Sequence, residues 1–204
     1  MPRPPVNPWG DRRRVRVGLL GGSFNPAHAG HRHIALLAQE RLGLDEVWLL
    51  VSPQNPLKPA RGMAPLARRL AAAQAIAGDH PRLRATAIEQ ALGTRYTADT
   101  LAALRRRFPA TRFVWLMGAD NLVQVARWHR WMRIFHALPV AVLARSPYSQ
   151  KALAATAARR LARFRLPAGR ARGLAESPPP AWTFLHTRLH PASASALRAQ
   201  TGAP

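Results

Sequence analysis

Residues 21–31 read Gly-Gly-Ser-Phe-Asn-Pro-Ala-His-Ala-Gly-His and follow directly on the apolar run Val15–Leu20. A short strand entering a glycine-rich turn and then an amphipathic helix aims backbone N–H groups at one point beyond the strand. His28 and His31 stand three residues apart, so both imidazoles face one side once the helix begins. Gly21 and Gly22 carry no Cβ and are expected to let a phosphate approach the backbone. Pro26 stiffens the loop, and Gly30 is expected to let a large ligand lie against the turn. Two imidazoles beside free N–H groups suit charge stabilisation on a phosphoryl or nucleotidyl group in transfer. Taken as a generic Gly-Gly plus His pair, the same residues also describe a tight strand–helix turn with two surface histidines.

Such a turn needs a scaffold, and the chain supplies alternating strand and helix patterns. Strands are expected at Val15–Leu20, Val47–Val51, Leu83–Ile88, Phe113–Met117, Val140–Ala144 and Trp182–His186. Helices are expected at Arg32–Leu42, ended by Gly43, and at Pro65–Ala77, with Gly78 after its end. Further helices are expected at Ala98–Phe108, with Thr97 as N-cap, then Ser149–Phe164 and Ser193–Gln200. Residues 166–181 are rich in Pro and Gly and read as a loop. Repeated strand–helix units imply a parallel sheet with helices on both faces, an α/β fold with its ligands beyond the strand carboxyl ends.

Composition narrows the classes. At 204 residues the chain suits a single α/β domain over 15–204, and residues 1–14, rich in Pro and Arg, read as a disordered basic extension. Cysteine is absent, which excludes disulfides and Cys-ligated metals. No apolar run reaches the roughly 20 residues that span a bilayer, and the amino terminus lacks the apolar core of a secretory signal. A soluble, cytoplasmic protein is the expectation. The net charge is +22, yet 29 of the 31 basic residues are arginine and they are spread along the chain. That distribution reads as a GC-rich codon bias and argues against nucleic-acid binding as the main function, while still drawing in a polyphosphate.

Four further segments fall at strand ends or helix starts. Lys58, in the loop Pro53–Pro59, offers a point charge to a phosphate, although alone it reads as an ordinary exposed lysine. Thr97 and Asp99, in Tyr96-Thr97-Ala98-Asp99-Thr100-Leu101, are sufficient as helix-capping residues. Asp120, in Gly118-Ala119-Asp120, sits just past a strand, where carboxylates bind ribose hydroxyls. Trp128, in Trp128-His129-Arg130-Trp131, offers a face for stacking an aromatic ring, and packing into the core explains it equally well. Ser193 is a plausible N-cap of the last helix, with Ser195 beside it, and Arg198 presents a planar fork to phosphates.

Together these segments resemble the bacterial nicotinate-nucleotide adenylyltransferase family of the HxGH nucleotidyltransferases, from about Val15 to Gln200. The match runs through Gly21, Gly22, Phe24, Pro26, His28, Gly30 and His31, then Tyr96–Leu101 and Gly118–Asp120 with Trp128. Asn25 stands where many members carry Asp, and Ala194 and Ser195 replace a Ser and a Thr of the carboxy-terminal motif. The resemblance implies a Rossmann-like nucleotidyltransferase fold. It also implies adenylyl transfer from ATP to nicotinate mononucleotide, giving deamido-NAD and pyrophosphate in NAD biosynthesis.

The resemblance further implies that His28, His31, Lys58 and Arg198 stabilise the phosphates in transfer, and that Gly21, Gly22, Ser23, Phe24, Asp120, Ser193 and Ser195 bind ATP. Thr97, Trp128 and Arg145 would bind the mononucleotide. Mg²⁺ would travel with ATP, without a protein-built metal cage. Two alternatives stay open: an adenylyltransferase with another acceptor, such as phosphopantetheine or nicotinamide mononucleotide, and a non-catalytic basic nucleic-acid-binding module. The sequence leaves the oligomeric state open, a homo-oligomer included.

Overall fold

The structure, a computed structural model, describes residues 6–54, 62–144 and 149–187. Seven parallel strands form one sheet: β1 (Arg16–Gly22), β2 (Glu46–Val51), β3 (Leu83–Thr86), β4 (Arg112–Gly118), β5 (Val140–Leu143), β6 (Arg165–Leu166) and β7 (Trp182–Leu185), in the order β3-β2-β1-β4-β5-β7-β6. The expected parallel sheet is therefore present. Its central strands read as continuous apolar runs because both faces are covered. Val17, Leu19, Trp48 and Trp115 enter one buried cluster, and Leu20, Val47, Leu49 and Leu116 enter another. The chain winds from β1 outward to β3, then returns past β1 to β4 and proceeds the other way. The order thus reverses between β1 and β4, where Leu20 pairs with Leu116.

Helices α1 (Ala29–Leu42), α2 (Leu66–Ala77), α3 (Ile88–Leu92), α4 (Thr97–Arg107), α5 (Ala119–Gln124), α6 (Trp131–Ala137), α7 (Ser149–Leu153) and α8 (Thr156–Arg160) connect or cover the strands. Helix α1 stops where Gly43 turns left-handed at φ 63° and its N–H donates to the Glu40 carbonyl, a C-cap glycine's role. Helix α2 starts after Pro65 and ends at Gly78. The N-cap of α4 is Tyr96, one residue before the expected Thr97, which is the first helical residue.

Four expectations need correction. The strand expected at Leu83–Ile88 ends at Thr86, and Ile88 opens α3 instead. The single helix over Ser149–Phe164 is broken into α7, α8 and a 3₁₀ turn. At about 100° per residue a straight helix would turn Ala152 and Leu161 to opposite sides, yet both are buried in one cluster. Bending the chain at Ala154–Ala155 brings them together. Residues 166–181 are not irregular throughout: a 3₁₀ helix over Ala168–Glu176 buries Ala171 and Leu174, three apart as its repeat demands. Residues 6–14 are also held, contrary to the disorder expected of them. Val6 is buried in the core, Arg107 donates to the Pro8 carbonyl, and Arg13 bridges to Glu46 at 2.8 Å.

Candidate active site

The paired histidines lie at the carboxyl end of β1, beside the point where strand order reverses. An open α/β sheet leaves its crevice at that point, because the connections on either side depart in opposite directions. His28 is the N-cap of α1, in extended backbone, and His31 lies in the first turn. Their ring centroids are 3.9 Å apart with a 41° tilt, so the structure brings them together as their spacing predicts. The His28 N–H donates to His31 Nδ1 at 3.2 Å, and the His31 N–H donates to the His28 carbonyl at 2.9 Å. With Nδ1 accepting, the neutral His31 ring carries its proton on Nε2.

Phe24 fixes the other side of His31. Its ring stands 4.7 Å from the imidazole, and it is buried. Its backbone is left-handed at φ 48°, a conformation costing a non-glycine residue about 1–3 kcal/mol and kept only where surroundings enforce it. The glycines before it have more particular tasks than expected. A Cβ on Gly21 would lie 2.3 Å from the indole of Trp115 on β4, so the neighbouring strand excludes a side chain there. A Cβ on Gly22 would press on the Phe24 ring at 3.3 Å. Gly30 is buried within α1.

Arg69 on α2 had no sequence signal. Its guanidinium is buried with 3 % exposure and donates to four backbone carbonyls: Ser23 at 2.7 Å, Ser52 at 2.7 Å, Pro53 at 2.8 Å and Ala64 at 2.8 Å. Burial pushes its pKa down from the ordinary arginine value, but it stays a cation. Asn25 joins the same network, donating from Nδ2 to the Gly62 carbonyl at 3.0 Å and accepting at Oδ1 from the Ala64 N–H at 3.2 Å. An aspartate could accept here but could not donate to Gly62, which explains the amide at this position. Beneath the loop after β2, burial raises the pKa of Glu89, while hydrogen bonds from Ser52 and Thr100 oppose the rise.

Asp120 lies in the first turn of α5, directly after β4. Its Oδ1 is buried with no hydrogen-bond partner among the described residues. A buried acceptor of this kind suits a ligand hydroxyl. Thr97 and Trp128 are brought to one region by their neighbours. Tyr96 stacks on His129 with centroids 4.3 Å apart, and Asp99 faces Arg130 at 3.9 Å. Trp128 is half-buried and packs against the core cluster. Lys58, Arg145, Ser193, Ser195 and Arg198, and the helix expected at Ser193–Gln200, lie outside the described residues. Among the described residues no group of three or more His, Asp or Glu side chains is placed to hold a metal ion. No described helix is long and apolar enough to cross a membrane.

A family model described as cytidylyltransferase-like matches residues 19–200. A protein of Gluconacetobacter diazotrophicus, named "Probable nicotinate-nucleotide adenylyltransferase", is 54% identical over 191 residues, covering 94% of this chain and 88% of its own. One of the same name from Bradyrhizobium sp. strain BTAi1 is 52% identical over 188 residues, covering 92% and 97%. Among solved structures, the Plasmodium falciparum nicotinic acid mononucleotide adenylyltransferase complexed with NaAD superimposes with a TM-score of 0.66. It covers 91% of this chain and 83% of its own at 13% identity, a likeness of fold.

Proposed function

The chain belongs to the cytidylyltransferase-like family and, within it, to the nicotinate-nucleotide adenylyltransferases, and from that premise we propose how its residues carry out the reaction. The 5′-phosphate of nicotinate mononucleotide attacks the α-phosphorus of ATP. The bond to the bridging α–β oxygen breaks, pyrophosphate leaves, and deamido-NAD forms for NAD biosynthesis. No protein nucleophile is needed, so catalysis is positioning plus charge stabilisation. The observation that carries this reading is the His28–His31 pair, 3.9 Å apart beyond the carboxyl end of β1, where the strand order reverses.

His31 offers Nε2–H to a phosphate oxygen, and His28 flanks it. Lys58 and Arg198 neutralise the triphosphate and the leaving pyrophosphate. Gly22, Ser23 and Phe24 shape the phosphate loop, and Asp120 accepts from a ribose hydroxyl. Trp128 stacks on the nicotinate ring, the backbone about Thr97 reads its carboxylate, and Arg145 contacts a phosphate. Ser193 and Ser195 complete the nucleotide site from the last helix. Mg²⁺ enters on the phosphates of ATP as part of the substrate, and by the sequence reading the compartment is the cytoplasm. The test is pyrophosphate release with ATP and Mg²⁺, with nicotinate and nicotinamide mononucleotides supplied in parallel. Turnover confined to the nicotinate form supports the assignment. Turnover with neither, in a folded protein, overturns the acceptor and directs the assay to phosphopantetheine.

A further inference from the structure

We infer that Arg69 is a positioning residue for the transfer step: through Ser23 and Phe24 its buried guanidinium sets the orientation of the His31 imidazole. This rests on His31 acting in the proposed transfer.

The path is short and continuous. Arg69 Nη1 holds the Ser23 carbonyl at 2.7 Å, and the next residue is the left-handed Phe24. The Phe24 ring then lies against His31. The same Nη1 holds the Ser52 carbonyl at 2.7 Å, while the Ser52 N–H donates to the Gly22 carbonyl at 3.0 Å. One guanidinium thus sets the spacing between the ends of β1 and β2 and the peptide that must turn left-handed. Arg69 Nε and Asn25 both grip Ala64, at its carbonyl and its N–H respectively. Among the described residues Arg69 donates only to carbonyl oxygens, so its charge faces backbone under the phosphate loop. A planar guanidinium reaches four carbonyls from three separated nitrogens; an ammonium, with three N–H donors on one nitrogen, cannot span them all.

The test compares Arg69→Lys and Arg69→Ala with Ala73→Gly, a core change on the same helix, in full-length protein. Two readouts are taken: steady-state kinetics and the ¹H–¹⁵N spectrum of the imidazoles. Arg69→Lys is expected to lower kcat by about a hundredfold, the cost of a catalytic group displaced by about 1 Å. KM for the mononucleotide should stay within about threefold, and the fall in kcat should exceed any rise in KM for ATP, whose phosphates the Ser23–Phe24 loop also meets. The His31 ring signals should move, and guanidinium ion should restore part of the kcat of Arg69→Ala. Ala73→Gly should lower Tm yet keep kcat and the His31 signals. Unmoved His31 signals in Arg69→Lys overturn the inference. So does a kcat loss that Ala73→Gly reproduces at equal Tm. Because the imidazole spectrum needs no substrate, it judges this inference even where wild-type protein fails to use nicotinate mononucleotide.

Discussion

Gly21→Ala separates two explanations of a glycine at the end of β1. A Cβ there would stand 2.3 Å from Trp115 Cη2 and 3.0 Å from Cζ2, whereas unstrained carbon contacts lie at about 3.5–4.0 Å. Relief needs a movement of about 1 Å or more. Trp115 is 3 % exposed, and its strand is paired with β1 on one side and β5 on the other. Overpacking of this kind costs about 1–3 kcal/mol. For a chain of this size each kcal/mol moves Tm by about 2–4 °C, so a drop of roughly 2–12 °C is expected in calorimetry. Trp115→Leu makes room for the methyl group, so the double variant should lose less stability than the two single losses added together. An additive double variant, or an unchanged Tm with weakened ATP binding, would refute the packing argument. That outcome would return Gly21 to the role of admitting phosphate.

Three further outcomes are expected. His31→Ala should lower kcat about 10²–10³-fold, as loss of one preorganised donor does, with Tm largely kept; near-normal turnover removes His31 from the chemistry. Trp128→Ala should raise KM for the mononucleotide more than for ATP, and equal increases would make Trp128 a packing residue. Glu89→Gln tests a buried carboxyl whose pKa burial raises above its ordinary 4.5. A raised folded-state pKa means that stability is greatest below the unfolded value and is lost as pH climbs through the folded one. Melting curves should therefore show Glu89→Gln gaining on wild type from pH 4 towards pH 8, and a pH-independent difference would contradict the shift.

Much of the candidate site was legible because its signal is local. A strand, a glycine-rich turn and two histidines three residues apart determine a loop, a helix start and a shared ring direction within eleven residues. Apolar runs alternating with helical periods likewise determined a parallel sheet, since strands covered on both faces must be apolar throughout. The reversal of strand order at β1 and β4, by contrast, follows from the order in which strands pair. So does the meeting of Tyr96 and Asp99 with His129 and Arg130. Arg69 reads as one of two adjacent arginines on an alanine-rich helix until folding sets it under Ser23, 46 residues away in the chain. Gly21 reads as a phosphate glycine, and only the fold shows that Trp115 on β4 also leaves no room for a side chain there. Short-range sterics and hydrogen bonding write themselves into neighbouring residues, whereas contacts between distant segments depend on how the sheet brings those segments together, and only the tertiary structure decides them.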